Sequence, residues 1–413
     1  MTTVAEPIGL LSSFRKNGPL GNWIHAISHL DPQYGGLSSA VPALSSAIAR
    51  TGKASITLAG FCQAGEHYLP AVGDGVAVDY FPLSRVAWLK NSERRSSFRN
   101  LVARSSGVHI HGLWQMSTSA GAKAAQSAGK PYLISAHGML ESWAIANKRI
   151  KKQIYAALFE RANLRSAACL HALTEAEARD YRNFGLKNPI AVIPNGVDVP
   201  ERASATLFLE RFPELRGKRI VLFLGRIHFK KGLDLLAEAW SRLSRDWPDA
   251  QLVLAGPDFE NTQLQVEKRL ADLGIRHRVT FTGMLGRDLK WSALAAADCF
   301  VLPSYSEGLS VSVLEAMAIG IPVIITKQCN LPEVELYECG WAIQPEAAEL
   351  TSALDGLLRS TAAERSSFGK NGRRLVAERY SWPVIGEQMR DVYSWLTGGP
   401  LPTAVNFHGK VNS

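Results

Sequence analysis

Short apolar runs of three to six residues recur along this chain about every 20–35 residues, and most end on a small or polar residue before a helical pattern begins. In the first half they are Trp23–Ile27, Ala54–Leu58, Asp79–Leu83, Val108–His111, Pro131–Ser135, Cys169–Ala172 and Ala191–Ile193. Helix-spaced segments such as Ser39–Arg50, Ser117–Ala128 and Glu175–Phe184 lie between them. Strands that alternate with helices predict βα units and a parallel sheet. Pro194-Asn195-Gly196 to Pro200 then combines two prolines with a turn dipeptide, a boundary signal. The pattern restarts with Arg219–Leu224, Gln251–Ala255, Val279–Thr282, Cys299–Leu302 and Pro322–Ile325. The expected fold is therefore α/β, with two Rossmann-like, doubly wound parallel-sheet domains, 1–198 and 199–382, facing an interdomain cleft. A late helix near Val384–Leu396 follows the second sheet, and 399–413 reads as a flexible tail.

The second half contains the most informative stretch, Pro303–Glu315, with sequence PSYSEGLSVSVLE. A buried strand leads into a polar loop with one glycine and then into an apolar-spaced helix stopped by Gly320 and Pro322. Such a helix start receives anions on its backbone N–H groups. Glu307 lies in the loop and Glu315 eight residues later, on the helix. With Ser310 as the cap, Glu315 falls roughly 7.5 Å along the axis. These two acids could form the pair of a retaining glycosidase. The neighbouring cations argue for a phosphate leaving group instead. Arg226 and Lys231 lie in GRIHFKKG between a strand end and a helix, and can grip a diphosphate. No Asp-x-Asp pair occurs, so no metal is predicted, and the cations and the helix dipole carry the diphosphate charge.

Three more positions at strand ends stand out. Gly35-Gly36 precedes a helix and lets backbone approach a ligand, although an ordinary turn would use the same pair. His137, followed by glycine, reads as a site residue or a structural hydrogen-bonder, and His111 in HGLW is similar. There is no GxSxG or P-loop pattern.

The charge is uneven. Residues 1–198 carry 21 Lys+Arg against 12 Asp+Glu, and the remainder carries 25 of each. Much of the excess lies in 88–104 and 148–165, where basic residues interleave with Trp88, Leu89, Phe98, Leu101 and Val102. This pattern suits an anionic membrane surface or a solvated helix face. No nucleic-acid motif accompanies it, so no nucleic acid is expected as a partner. No apolar run reaches the ~18 residues of a membrane span, and the N-terminus does not read as a signal peptide. Five scattered cysteines form no CxxC pair, which fits a cytoplasmic protein and predicts no zinc site.

Taken together these motifs resemble the retaining GT-B glycosyltransferases of group 1, the GT4 family. The resemblance rests on SEGLSVSVLEAMAIGIPVI with its E-x7-E, and on GRIHFKKG, AGPD, VTFTG, PNGVD and the YGGLS loop, in the family's order. SAHGMLESWA followed by KRIKK is similar to the exopolysaccharide or surface-glycan branch. The resemblance implies a hexosyltransferase with a nucleotide-diphosphate sugar, GDP-mannose or a UDP-hexose, as donor and no cofactor. The acceptor would be a glycan or polyprenyl-linked saccharide, met at the inner face of the cell membrane. Glu307 would lie against the donor sugar with His137 near it, and Glu315 would bond the ribose. Arg226, Lys231 and the backbone of Gly36, Leu309, Ser310 and Val311 would hold the diphosphate. Gly283, Met284 and Leu285 would border the base, while Gly35 and His111 fall on the acceptor side. The helix 383–398 would pack back on the first domain. The implied mechanism is same-face attack by the acceptor hydroxyl, without a strong protein base, giving an α-linkage. Two other readings fit the same fold: a nucleotide-sugar epimerase, and a non-catalytic sugar-nucleotide-binding partner.

Overall fold

The computed structural model describes residues 18–63, 68–141, 160–198 and 200–407, without the side chain of Arg85. Most of the 148–165 basic segment lies outside the described residues, as do 408–413 of the tail.

The first sheet uses β1 (Asn22–Ile27), β2 (Ser55–Cys62), β3 (Val76–Pro82), β4 (Gly107–His111), β5 (Tyr132–Ser135), β6 (Cys169–Ala172) and β7 (Ile190–Val192). The second uses β8 (Arg219–Leu224), β9 (Ala250–Ala255), β10 (Val279–Gly283), β11 (Cys299–Leu302), β12 (Val323–Thr326) and β13 (Gly340–Ile343). A short β14 (Val405–Asn406) closes the chain. The second sheet runs β10-β9-β8-β11-β12-β13. The first runs β3-β2-β1-β4-β5-β6-β7, with β14 added antiparallel at β7. The tail expected to be loose from 399 thus ends its described part in a strand, because Val405 pairs with Ala191 and is buried.

Both sheets reverse strand order once, between β1 and β4 and between β8 and β11. The crevice at the carboxyl ends of the strands, at such a reversal, is where open α/β sheets bind ligands. The central strands read as unbroken apolar runs because helices cover both faces. All four residues of β11 (CFVL) and five of six in β8 (RIVLFL) are buried. The helix Leu233–Leu243 buries Leu233, Leu236, Ala237, Trp240 and Leu243, an i, i+3, i+4 stripe.

By contact, Leu170–Ile385 falls in one compact unit, while Gly386–Thr403 falls in the other with β1 to β5. In that other unit the Tyr393 ring stacks on Trp23 with centroids 3.9 Å apart.

Two sequence expectations need correction here. The first helix starts at Gly36, not Ser39, so the glycine pair is the helix start itself. The segment 88–104 forms two short helices, Arg85–Lys90 and Ser92–Ala103, whose Trp88, Phe98 and Val102 are buried. Phe98 meets Phe81 edge-on at 4.9 Å and Trp88 at 5.6 Å, and Phe61 completes the cluster. The aromatic residues that suggested membrane anchors are core, and Val86 and Leu89 are the large apolar side chains left exposed there.

Candidate active site

The loop after β8 is shaped by its glycines. Gly225 ends the strand, and a single turn, Phe229–Lys231, stops at Gly232 with φ 66°. A Cβ at Gly232 would stand 1.9 Å from the Pro303 carbonyl oxygen, so the loops after β8 and β11 touch through a position that needs glycine twice over. The Tyr305 N–H donates to the Lys230 carbonyl at 2.7 Å, and the Tyr305 hydroxyl to Asp234 at 2.7 Å. These bonds tie the loop that carries Lys231 to the loop that carries Glu307.

Lys231 Nζ donates to Glu307 Oε1 at 2.6 Å. The same carboxylate oxygen accepts from Ser304 Oγ at 2.6 Å. Backbone bonds hold the acid in place as well. The Glu307 N–H donates to the Gln328 carbonyl at 3.0 Å, and Asn330 Nδ2 donates to the Glu307 carbonyl at 2.5 Å. Glu141, grouped by its contacts with this unit, accepts from Ser306 Oγ at 3.2 Å and lies 3.9 Å from Lys230 Nζ. Burial pushes its carboxyl above the ordinary value, while Lys230 and Ser306 draw it back. Arg226 places its guanidinium 5.3 Å from the centre of the Phe259 ring. His228 Nδ1 accepts from the Lys230 N–H at 3.2 Å, and loss of water lowers its pKa against the pull of Glu260.

Past Gly308 the helix Val311–Ile319 begins. Ser310 occupies the cap position, as expected, but its side chain does not cap; its Oγ lies 3.1 Å from Ser312 Oγ. The first turn carries no acidic residue. The positive end of the helix therefore has no carboxylate of its own to neutralise it. Glu315 is buried on this helix, and its Oε1 accepts from Lys290 Nζ at 2.5 Å. Burial raises its pKa and Lys290 opposes the rise. At the end of β10, Gly283 adopts φ 68° and accepts from the Gly256 N–H at 2.9 Å, leaving Met284 exposed. One unit thus brings together Arg226, Lys231, Glu307, Glu315, the 309–311 helix start and the 283–285 loop.

His137 lies two residues past the end of β5 and has φ 53°, an uncommon conformation for a non-glycine residue that marks local strain. Burial and the neighbouring His171 lower its pKa to about 3, so the ring is neutral at physiological pH. The turn is held by a residue the sequence did not single out. Glu177 Oε1 accepts from the Gly138 N–H at 2.8 Å and its Oε2 from the Leu173 N–H at 2.7 Å. Its burial raises its pKa to about 7.

Gly35 and Gly36 sit in the other unit. Gly35 needs its glycine, with φ 115°. Gly36 does not need one for packing, since a Cβ there meets nothing within 4 Å. His111 is fully buried, with Nε2 3.1 Å from His25 Nδ1. Its ring packs on those of His25 and His109, with centroids 5.0 and 4.0 Å away. Lys290, Asn330 and Glu177 escaped sequence reasoning because none lies in a motif, and Ser304 was passed over although it lies within the Pro303–Glu315 stretch.

The chain matches two family models, "Glycosyl transferase 4-like domain" over residues 35–196 and "Glycosyl transferases group 1" over residues 208–375. A GDP-mannose-dependent monoacylated α-(1-6)-phosphatidylinositol monomannoside mannosyltransferase of Corynebacterium glutamicum is 30% identical over 223 residues, 51% of this chain and 57% of that protein. Sucrose-phosphate synthase from Thermosynechococcus elongatus superposes with a TM-score of 0.73 at 22% identity, covering 91% of this chain and 98% of that one. Anabaena HepE in complex with UDP and glucose gives 0.67 at 17% identity, with 91% and 99% covered. Two Rossmann-like parallel-sheet domains of this order make the fold that of the GT-B glycosyltransferases. The chain belongs to the group 1, GT4-like glycosyltransferase family. It spans about half the length of the curated relatives it matches.

Proposed function

We propose that this protein is a retaining, metal-independent hexosyltransferase that moves a sugar from a nucleoside-diphosphate donor to a glycan or lipid-linked saccharide, forming an α-linkage. The observation that carries this is the Lys231–Glu307 pair beside an uncapped helix start, at the strand-order reversal of the second sheet. An ammonium and helix N–H groups suit the two charges of a departing diphosphate, and a held carboxylate suits sugar hydroxyls. In the proposed reaction the donor takes Lys231 and Arg226 onto its diphosphate, and Glu307 turns to the sugar. Glu315, oriented by Lys290, bonds the ribose, and 283–285 borders the base. Neutral His137 can accept or donate one hydrogen bond beside the sugar. The bond from the anomeric carbon to the diphosphate breaks while the acceptor hydroxyl attacks from the same face. Its proton passes to a donor phosphate oxygen. Residues 199–382 are the donor domain in this reading. Residues 1–198 with 383–398 form the acceptor domain, where the open space at Gly36 supports a close backbone approach to the ligand.

GDP-mannose is the favoured donor, because a relative carries that dependence in its name. A thermal-shift screen of nucleotide sugars tests the reading, since a ligand of the folded state stabilises it by mass action. Stabilisation by GDP-mannose, followed by transfer to a lipid-linked saccharide without divalent cation, is expected. No shift with any nucleotide or nucleotide sugar would overturn it. The basic first half, with exposed Val86 and Leu89, supports docking on anionic lipid at the inner face of the membrane. Among the described residues no helix is long and apolar enough to cross a membrane. Sedimentation with anionic but not neutral vesicles at low salt is expected; equal binding to both would remove the electrostatic part.

A further inference from the structure

The segment SAHGMLESWA carries an acid, Glu141, that the proposed reaction leaves idle. Past β5 the backbone makes two tight turns. The Met139 N–H donates to the Ala136 carbonyl and the Glu141 N–H to the Gly138 carbonyl, each at 3.2 Å. These turns bring the Glu141 carboxylate back over Gly138. By its contacts Glu141 groups with the unit that holds Lys231 and Glu307.

The loops after β8 and β11 divide their polar groups between two acids. Lys231 and Ser304 each donate to Glu307 at 2.6 Å. Lys230 and Ser306 serve Glu141 instead. Ser306 Oγ donates to Oε2 at 3.2 Å, and Lys230 Nζ stands 3.9 Å from that same oxygen. Both contacts fall on Oε2, and Oε1 accepts no hydrogen bond among the described residues. Oε1 lies 2.8 Å from where a Cβ at Gly138 would stand, and 3.5 Å from where one at Gly308 would stand. Gly138 follows His137 and Gly308 follows Glu307. The open oxygen therefore lies next to the backbone of both residues that the proposed reaction sets beside the sugar, and neither glycine has a side chain to cover it. The Glu141 side chain keeps 20% of its surface exposed, so a small polar group can reach it.

An ionised carboxylate only accepts, so its complement is an O–H or N–H group. An ionised diphosphate has no such hydrogen and carries the same charge, which leaves the hydroxyls of the hexose. We propose that Glu141 is a specificity-determining residue whose Oε1 accepts the hydrogen of one hydroxyl of the transferred sugar, while Lys230 and Ser306 hold Oε2. The assignment rests on the donor reading above. Glu307 and Glu141 then hold the sugar through separate hydroxyls. A site built to bond a hydroxyl rejects an analogue that lacks it, because its own polar group is left unpaired.

Calorimetric binding of GDP, of GDP-mannose and of the monodeoxy analogues of GDP-mannose to the full chain tests this without an acceptor. Where the thermal-shift screen selects another nucleotide sugar, that donor and its nucleotide take their place. Glu141→Ala should bind GDP at least as tightly as wild type, because Lys230 loses Glu141 as a counter-ion. It should bind GDP-mannose about 10- to 100-fold more weakly, the scale of one hydrogen bond to a charged group. One monodeoxy donor should show the same loss with the wild-type protein and no further loss with the variant. Glu141→Gln keeps the size of the side chain and a neutral acceptor, and should lose about 3- to 10-fold; it makes the same comparison if the shorter side chain disturbs the turn. Equal weakening of GDP and GDP-mannose would make Glu141 a brace for Lys230 and overturn the assignment. So would monodeoxy donors that all lose as much in the variants as in wild type. Wild-type protein that binds no nucleotide or nucleotide sugar defeats the donor reading itself, and this assignment with it.

Discussion

Gly232 and Pro303 approach so closely that a Cβ on the first would lie 1.9 Å from the carbonyl oxygen of the second. This contact sets the distance between the two loops that carry Lys231 and Glu307. Gly232→Ala adds both a clash with rigid backbone and a penalty for φ 66°. It should destabilise the protein by about 3 kcal/mol or more, read as a lower urea midpoint. A variant that unfolds at the wild-type midpoint would show that the loops can part without cost.

Removing either member of the Lys231–Glu307 pair should lower kcat/KM by ~10²-fold or more, the scale for one charge-stabilising group. Because each holds the other at 2.6 Å, the double variant should lose less than the product of the two. Turnover close to wild type in Glu307→Ala and Lys231→Ala would remove these residues from the mechanism.

Lys290→Met leaves the buried Glu315 carboxylate without its cation. The expected cost is about 1–3 kcal/mol of stability, and nucleotide binding weakens as Glu315 takes up a proton at higher pH. Lys290→Met with Glu315→Gln should recover stability but not nucleotide affinity. Calorimetry with the nucleoside diphosphate distinguishes the two; full affinity in the double variant would deny Glu315 its role at the ribose.

His137 should stay neutral well below the ordinary histidine range, with its pKa at about 3 in the fold and 6.5 when unfolded. Between those values the unfolded chain binds a proton that the native ring refuses. His137 therefore contributes stability that is present above pH 6.5 and is lost as pH falls towards 3. His171, at about 4, acts in the same direction. Glu177, raised to about 7, acts oppositely, since the fold favours its proton and gains stability on acidification from 7 towards 4.5. The ring signal of His137 in NMR isolates one group from this sum. It should not move between pH 8 and 5, and a midpoint near 6.5 would contradict the burial.

The sequence carried the alternation of strand and helix, the restart after Pro194–Asn195–Gly196 and the E-x7-E stretch, because each is written locally. Partners supplied by tertiary contact were not legible. Lys290 is one cation on an ordinary amphipathic helix until the fold sets it against Glu315. Glu177 reads as a first-turn helix acid, yet it ties Gly138 to Leu173. Trp88 and Phe98 sat among arginines and looked superficial, until Phe61 and Phe81 gave them a wall. His25 and His109 became neighbours only through the pairing of β1 with β4, which no spacing along the chain encodes.

Glu307 Oε1 accepts from the ammonium of Lys231 at 2.6 Å. Under the proposed mechanism, donor binding is then an exchange of anions at a filled position, and product departure is the reverse exchange. Under that mechanism Glu307 would compete for the same cation as the leaving diphosphate, and would act as a tethered displacer that empties the site after each transfer.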